Sequence, residues 1–298
     1  MAITEANTLG MKTPCFLRRS LLAGLAMMLP GSQLASAAPL LRFGSGATPG
    51  DLTSVVDAFR GDLGGVNNGV GGGPFTTGFR AINWDGVPNT FAAPNNLPGN
   101  FFNANSPRGL NMATPGTGFQ VSAATGNPSG APLRFGHIDP TYAGVFQPFS
   151  QERLFSPLGS TTTDINFFVP SSPTTPAFVR GFGVIFADVD RADSTELQFL
   201  DAQGQELFSA FAPARNGGLS FVGVTFDNPD QVFSVRIISG DAPLGSGVLD
   251  GPAQDLVVMD DFFYGEPLAA VPTRSCAGPS KIPEPSGVSP LMIRTEKT

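Results

Sequence analysis

Two adjacent carboxylates stand in the middle of an otherwise apolar and aromatic run, DLVVMDDFFYGEP, at residues 255–267. Adjacent side chains of a β-strand point to opposite faces, so we expect one of Asp260 and Asp261 to point inward and the other to face solvent or a strand end. A buried carboxylate without a partner is strongly destabilising, so the inward one needs backbone N–H groups, an arginine or a metal ion. The pair is therefore either a hydrogen-bonding junction between loops or part of a structural calcium site.

A second acidic cluster lies in FADVDRADSTEL, where a strand gives way to a polar loop. It has the spacing Asp188-x-Asp190-x-x-Asp193-x-x-Glu196, and alternate oxygens in such a loop can converge on a hard cation such as calcium. The spacing differs from that of an EF-hand loop. These four residues form the second candidate metal site, and a solvated acidic loop is the alternative interpretation.

Several catalytic chemistries are excluded by residues that the chain lacks. Between residues 38 and 270 there is no lysine, which rules out a P-loop lysine or a Schiff base, so no nucleotide cofactor is expected. His137 is the sole histidine, so a multi-histidine zinc or iron centre cannot form, and no redox cofactor is expected. We expect His137 to end a strand and to hydrogen-bond locally. Paired carboxylates suffice for glycoside hydrolysis, so a polysaccharide-active enzyme remains the alternative function.

The charge and the aromatic content of the chain limit the classes of binding partner that we expect. Residues 38–270 contain ten Arg and 21 Asp and Glu, a formal charge of −11, which argues against nucleic acid and favours cations or neutral ligands. Sugar-stacking platforms favour Trp and Tyr, and the chain has one Trp and two Tyr. The candidate ligand-stacking residues are therefore Trp84, Tyr142 and Tyr264.

The elements that would position these residues are short β-strands. The chain has 37 Gly, 28 Pro and 26 Phe, a balance that favours strands and turns over helices. We predict an all-β fold, an antiparallel β-sandwich or jelly roll, as a single domain over 38–268. It contains one short N-terminal helix over 51–65 and a long loop over 83–118. Strands are expected in APLRFG (131–136) and in seven later segments, with a buried set comprising Phe182, Val184, Phe186, Phe221, Val235, Ile237, Val257 and Met259.

Both ends of the chain are expected to lie outside this domain. Residues 1–37 are interpreted as a signal peptide, with a basic KTPCFLRR, a short apolar SLLAGLAMMLPG and a small-residue cleavage site before Ala38. Translation could start at Met1 or Met11, and both general secretion and the twin-arginine route remain open. Residues 269–298 are predicted to be a disordered tail, and no transmembrane anchor is evident. The protein is therefore expected to be exported and to be periplasmic, secreted or on the cell surface.

Two resemblances extend this interpretation. An apolar strand that carries Asp-Asp near the chain end resembles the closing strand of jelly-roll carbohydrate-binding modules, in which calcium ties the last strand to the first. That resemblance implies Asp260 or Asp261 as a ligand, with Asn83 or Asp85 of INWDG on the other side. INWDGVP, LPGNFFN, RGFGVIFADVD and VVMDDFFYGEP resemble an uncharacterised family of secreted bacterial proteins that often carry a PEP-CTERM sorting tail.

The tail itself departs from that pattern. IPEPS (282–286) matches the sorting signature, but SGVSPLMIRTEKT has neither the apolar span nor the terminal basic cluster. The sequence as a whole predicts an exported, non-catalytic β-sandwich with a structural calcium ion, which binds extracellular glycan or contributes to a surface matrix.

Overall fold

The computed structural model describes residues 38–73, 75–170, 172–227 and 232–269, which form two antiparallel β-sheets packed together. This arrangement confirms the predicted all-β sandwich with few helices. The strands in chain order are β1 Leu40–Gly46, β2 Phe79–Ile82, β3 Leu110–Ala113, β4 Gly118–Val121, β5 Phe155–Leu158, β6 Thr162–Val169, β7 Ser172–Phe178, β8 Gly181–Val189, β9 Glu196–Leu200, β10 Glu206–Phe211, β11 Arg215–Thr225, β12 Ser234–Ile238, β13 Val258–Gly265 and β14 Leu268–Ala269. The α-helices are α1 Pro49–Asp62, α2 Phe101–Ala104 and α3 Tyr142–Val145, and two 3₁₀ turns span Trp84–Gly86 and Asn89–Phe91.

Each sheet has seven strands. The first has the order β1-β11-β8-β13-β5-β4, with β2 also pairing with β13. The second has the order β10-β9-β12-β6-β7-β14, with β3 also pairing with β6. Strands β8 and β13 lie at the centre of the first sheet, and every residue in both is buried. Asp260 and Asp261 of the first acidic cluster and Asp188 of the second therefore lie in strands whose residues are all buried.

Two apolar clusters cover the first sheet on its two faces. One lies between the sheets and contains Phe182, Val184, Phe186, Val235, Ile237, Val257 and Met259. The other lies under α1 and the segment around α3, and it contains Phe221. All eight residues predicted to be buried are buried, with at most 3% of their surface exposed. Because apolar clusters cover both faces of the first sheet, its central strands have nearly continuous apolar sequences.

A glycine pair fits α1 onto this sheet. Strands β8 and β11 share the tetrapeptide Gly-Val-x-Phe, and their antiparallel register places Gly183 directly opposite Gly223. A Cβ atom added to Gly183 would lie 2.7 Å from the Phe59 ring, and one added to Gly223 would lie 2.8 Å from it. The shared tetrapeptide therefore reflects two neighbouring central strands that both leave room for Phe59 of α1, rather than a repeated unit.

The boundaries of three predicted elements need correction. Helix α1 covers Pro49–Asp62 instead of 51–65, because Pro49 suits the first turn and the Thr48 N–H donates to Asp51 Oδ2 at 2.9 Å. The predicted loop 83–118 contains both 3₁₀ turns, α2, β3 and the first residue of β4. APLRFG forms a turn and not a strand, because Arg134 and Phe135 adopt left-handed φ values of 48° and 63°.

The predicted signal peptide and all of the predicted tail but Ala269 lie outside the described residues. Within those residues, no helix combines the length and apolar character needed to cross a bilayer.

Candidate functional site

Asp260 and Asp261 together form a β-bulge in β13. Met259 pairs with Phe186 and Phe262 pairs with Val184, so the two aspartates stand opposite the single residue Ile185 of β8. A bulge places an extra residue in one strand and breaks the alternation of faces. Asp260 is fully buried and Asp261 is 5% exposed, so the expectation of one outward carboxylate is wrong.

The bulge is a junction for a loop that crosses β13. Asp260 Oδ2 accepts hydrogen bonds from the backbone N–H groups of Phe149 at 2.7 Å and Ser150 at 3.3 Å. The hydroxyl oxygen of Ser150 lies 3.0 Å from an oxygen of Asp260 and 3.0 Å from one of Asp261. The buried carboxylate thus has the backbone N–H partners that one of the two sequence interpretations required.

Asp85 belongs to the same junction, whereas Asn83 does not. Asp85 Oδ1 accepts hydrogen bonds of 3.1 Å from the backbone N–H groups of Glu152 and Arg153, and its Oδ2 lies 3.3 Å from Ser150 Oγ. Asn83 is exposed, and its amide oxygen accepts from the Asp85 N–H at the start of the 3₁₀ turn. Of the two candidate residues in INWDG, Asp85 therefore lies at the junction with β13 and Asn83 does not.

Burial perturbs both carboxyl groups of the bulge. The pKa of Asp260 lies well above its ordinary value because of desolvation and the neighbouring Asp261 charge. Desolvation raises the pKa of Asp261 to about 6, against opposing hydrogen bonds from Asp260 and Ser150. Ionising both groups in this enclosed site is therefore unfavourable.

The second acidic cluster is built around Asp188 at the end of β8. Asp188 has a left-handed φ of 68° and is 2% exposed. Its Oδ1 accepts a 2.6 Å hydrogen bond from the Gly217 N–H, whereas its Oδ2 is buried and has no hydrogen-bond partner. Asp190 Oδ1 is likewise buried without a partner. Buried acceptors without partners are rare in folded proteins, so this cluster requires an explanation.

Asp250 completes a group of three carboxylates. One oxygen each from Asp188, Asp190 and Asp250 lies within 4.8 Å of the others, the arrangement needed to hold a metal ion. The carboxylates of Asp85, Asp260 and Asp261, which the structure also describes, do not meet this criterion. The chain therefore has a cluster able to bind a metal, centred on two members of the second predicted set.

The other two members of that set lie elsewhere. Asp193 is exposed, and Glu196 begins β9, where its carboxylate accepts from the Gln198 amide at 2.9 Å. Asp250 was not predicted because it lies sixty residues beyond Asp190 in a loop without periodicity. The only sequence signal for it was an acidic residue before a Gly-Pro turn.

Neighbouring groups hold the loops of the cluster in place. Asp255 accepts hydrogen bonds from the backbone N–H groups of Asp190 at 3.1 Å and Arg191 at 3.2 Å. Asp250 accepts from the Leu256 N–H at 3.2 Å. A cavity of about 280 Å³ lies alongside, lined by Asp190, Arg191, Asn216, Gly251 and Pro252.

Burial and mutual repulsion dominate the electrostatics of the cluster, and the Arg191 charge opposes them only weakly, at Asp190. The pKa of Asp188 is raised to about 7, chiefly by desolvation and also by the charges of Asp250, Asp190 and Asp255, against the lowering effect of the Gly217 hydrogen bond. Desolvation also raises the pKa values of Asp190 and Asp250, again reinforced by neighbouring carboxylates. A bound divalent cation would reverse this effect, since it stabilises the ionised forms.

The three predicted stacking rings are buried and present no face to a sugar. Trp84 stacks on Phe155 at a centroid distance of 4.1 Å and donates from its indole N–H to the Asp260 carbonyl oxygen at 2.8 Å. The Tyr142 hydroxyl oxygen lies 2.8 Å from the carbonyl oxygens of Gly245 and Val248, to one of which it donates, and the Tyr264 hydroxyl donates to the Arg108 carbonyl. All three residues are 0% exposed, so the structure corrects the stacking assignment. They are large anchors of the core.

His137 lies in a turn and not at a strand end. Its Nδ1 is buried without a hydrogen-bond partner, and burial lowers its pKa. The predicted local hydrogen bond is therefore absent at this atom.

A polar groove of about 600 Å³ crosses the second sheet. Its floor includes an exposed ion pair, in which Arg236 Nε lies 2.7 Å from Asp164 Oδ1. The groove is lined by Ala113, Thr114, Pro115, Thr162, Asp164, Gln198, Arg236 and Ile238. These side chains offer several hydrogen-bond donors and acceptors on an open surface.

Comparison with known proteins does not assign the chain to a family. No family model matches the chain, and no curated protein matches it. Among solved structures, it is similar to the enzymatically active domain of the bacteriophage CBA120 tailspike protein 4, with 13% identity and a TM-score of 0.25. The match covers 61% of this chain and 22% of the tailspike chain. A similarity of this size carries no argument about function.

Proposed function

We propose that this protein is an exported, non-catalytic β-sandwich that binds one calcium ion at Asp188, Asp190 and Asp250. Outside the cytoplasm it acts as a glycan-binding protein or as a component of a surface matrix. One observation carries the cation-binding part: Asp188 Oδ2 and Asp190 Oδ1 are buried without hydrogen-bond partners inside a group of three carboxylates.

A cation accounts for both unfavourable features of the cluster. It supplies a partner to the two buried oxygens, and it offsets the mutual repulsion of the three carboxylates. The three ligands come from the end of β8 and from the loop before β13, so an ion links segments sixty residues apart. Because the cluster exists only in the folded chain, ion binding stabilises that state by mass action.

The ligand chemistry favours calcium among common ions. The three side chains offer only carboxylate oxygens, which suit hard cations, whereas zinc sites usually contain nitrogen or sulfur ligands. Calcium tolerates the irregular geometry of ligands carried by two loops, whereas magnesium demands near-ideal octahedral coordination. Extracellular calcium-binding modules have Kd values of roughly 10⁻⁴–10⁻³ M, which fits an exported protein.

The glycan part of the proposal is supported by the polar groove on the second sheet. Trp84, Tyr142 and Tyr264 are buried, and none of the described residues that line the groove has an aromatic ring. A sugar would therefore bind there mainly through its hydroxyl groups to side chains such as Arg236, Asp164 and Gln198. The acidic and lysine-free domain favours a neutral glycan over an anionic one.

The alternative of a carboxylate-based hydrolase receives no support from the paired aspartates. Asp260 and Asp261 are enclosed by β8 and the 149–153 segment, and they are 0% and 5% exposed. A polysaccharide bound at the surface cannot reach them.

Calorimetric titration of the exported protein with calcium tests the cation site. We expect one equivalent to bind, and Asp250→Asn to lose this binding while Asp193→Asn keeps it. Asp193 is the matched control because it is an exposed carboxylate next to the cluster. Absence of calcium binding to the wild type would contradict the proposal.

A glycan-array screen tests the second part. Binding should be lost in Arg236→Ala, which removes the groove's ion pair. It should be retained in Arg42→Ala, which removes the similarly exposed pair with Asp62. Loss in both variants, or binding to no glycan, would count against a groove-based site.

A further inference from the structure

Ser150 places its hydroxyl oxygen among three carboxylate oxygens. Its Oγ lies 3.0 Å from Asp260 Oδ1, 3.0 Å from Asp261 Oδ1 and 3.3 Å from Asp85 Oδ2. A serine hydroxyl has one hydrogen to donate, and an ionised carboxylate has none. If all three carboxylates were ionised, one of the two 3.0 Å contacts would bring lone pairs together with no hydrogen between them. Both contacts are hydrogen bonds only if this centre holds an additional proton.

The surroundings do not supply a positive charge close enough to replace that proton. Opposite the bulge, β8 contributes the apolar Ile185. From α1, the Arg60 charge lowers the pKa of Asp261, and from the 3₁₀ turn the Asp85 charge raises it by less. Arg60 itself forms its ion pair with Asp57. In the part of the chain that the structure describes, neither Asp260 nor Asp261 forms an ion pair.

Among the residues that the structure describes, the 149–153 segment forms no ion pair with Asp260 or Asp261, although the charge of its Arg153 interacts with that of Asp85. It contributes backbone N–H groups to Asp260 and Asp85, while its two charged side chains point to other partners. Glu152 bonds to Thr125, and Arg153 bonds to Asn89.

We propose that the folded protein keeps one proton on the Asp260–Asp261 pair at neutral pH. Asp260 Oδ1–H donates to Ser150 Oγ, while a lone pair of the same oxygen accepts from the Asp261 N–H at 2.8 Å, and the Ser150 O–H donates to Asp261 Oδ1. This arrangement gives one hydrogen to each 3.0 Å contact and none to the longer contact with Asp85. It also leaves Asp260 Oδ2 as the carbonyl oxygen that accepts from the Phe149 and Ser150 N–H groups.

The proton makes the contact between the Asp260–Asp261 bulge and the 149–153 segment sensitive to pH, and we call this contact the latch. Losing it places a second negative charge in an enclosed site, and that charge is best relieved when the 149–153 segment moves away and admits water. The folded pair has raised pKa values, so above pH ~4 it binds more protons than the unfolded chain. Its contribution to stability therefore falls as pH rises through about 6, where Asp261 ionises, and falls further as Asp260 ionises. The latch is closed in acid and loosened in alkali.

Infrared spectroscopy of the full-length protein in heavy water at neutral pH tests the proton directly. A protonated carboxylic acid has a carbonyl stretch that a carboxylate lacks. The measurement is made in an Asp188→Asn background, which removes the other buried carboxyl group with a pKa near neutrality. We expect the band in this background, its loss on adding Asp260→Asn, and its retention on adding Asp193→Asn. Absence of the band in the background protein overturns the proposal, as does its persistence after Asp260→Asn.

Asparagine is a neutral analogue of protonated aspartic acid, so Asp260→Asn is expected to fold and to lose part of the alkaline destabilisation. If it does not fold, wild-type protein labelled with ¹³C at its aspartate carboxyl carbons provides the second measurement. One carboxyl resonance other than that of Asp188 must then show the protonated shift at neutral pH. If every such resonance has the shift of an ionised carboxylate, the pair holds no proton and the latch does not exist.

Discussion

The backbone N–H of Gly217 donates a 2.6 Å hydrogen bond to one oxygen of Asp188, while the other oxygen of that carboxylate is buried without a partner. The bond attaches the end of β8 to the start of β11 and fixes the orientation of the carboxylate. It also leaves Oδ2 free to contact an ion together with Asp190 and Asp250. One side chain thus serves the fold through one oxygen and the candidate cation site through the other.

Asp188→Asn should separate these two roles. The amide oxygen keeps the hydrogen bond from the Gly217 N–H. The amide nitrogen takes the place of the oxygen that has no partner, and it provides a hydrogen-bond donor near Asp190. We therefore expect the calcium-free variant to melt a few degrees above the calcium-free wild type and to gain no stability from calcium. Thermal unfolding in chelator and in calcium measures both effects. A variant that is less stable without calcium and still responds to calcium would contradict this assignment.

The stability of the ion-free protein should fall as pH rises toward neutrality. The pKa of Asp188 is about 7 in the folded chain and about 3.9 in an unfolded one, so between these values the folded state binds more protons. Calcium binds the ionised carboxylates, so calcium affinity should rise over the same range. Urea unfolding at several pH values, with chelator and with calcium, measures these dependences.

The control for that series is Asp188→Asn, because the Asp260–Asp261 pair also contributes to the pH dependence. The difference between the wild type and Asp188→Asn isolates the cluster. Identical pH profiles for the two proteins would show that Asp188 does not titrate in this range.

The packing of α1 on the first sheet depends on the absence of a side chain at Gly223. A methyl group there would lie 2.8 Å from the Phe59 ring, so Gly223→Ala should destabilise the protein by about 1–3 kcal/mol. Gly61→Ala is the matched control, since it lies in α1 with no atom within 4 Å of the added Cβ, and it should be neutral or slightly stabilising. Chemical denaturation measures both. Addition of Phe59→Leu should partly rescue Gly223→Ala, and equal effects of the two glycine substitutions would contradict the packing argument.

Regular features of the fold were predictable because they leave periodic patterns in the sequence. Val235 and Ile237 alternate with polar residues in β12, and Phe182, Val184 and Phe186 alternate with residues that face the other covered side of β8. Such patterns follow directly from the pleat of a strand. The two-sheet fold and its buried residues followed from them.

The candidate site was less predictable because it depends on local irregularities. The prediction for Asp260 and Asp261 assumed regular alternation, which the bulge breaks. Asp250 joins Asp188 only through the path of a loop, for which no short pattern exists. The burial of Trp84 depends on the packing of the 83–118 segment, which composition does not reveal.

The central claim is tested most directly by the melting temperature of the protein in chelator and in calcium at about 100 times its Kd, which is roughly 10–100 mM for a Kd of 10⁻⁴–10⁻³ M. Calcium at 100 times its Kd stabilises a folded protein by about 2.7 kcal/mol, which corresponds to a rise of roughly 5–10 °C for a domain of this size. We predict such a rise for the wild type and for Asp193→Asn, and none for Asp250→Asn. A wild-type melting temperature that is the same in chelator and in calcium, or a calcium response that survives Asp250→Asn, would contradict a cation site at Asp188, Asp190 and Asp250.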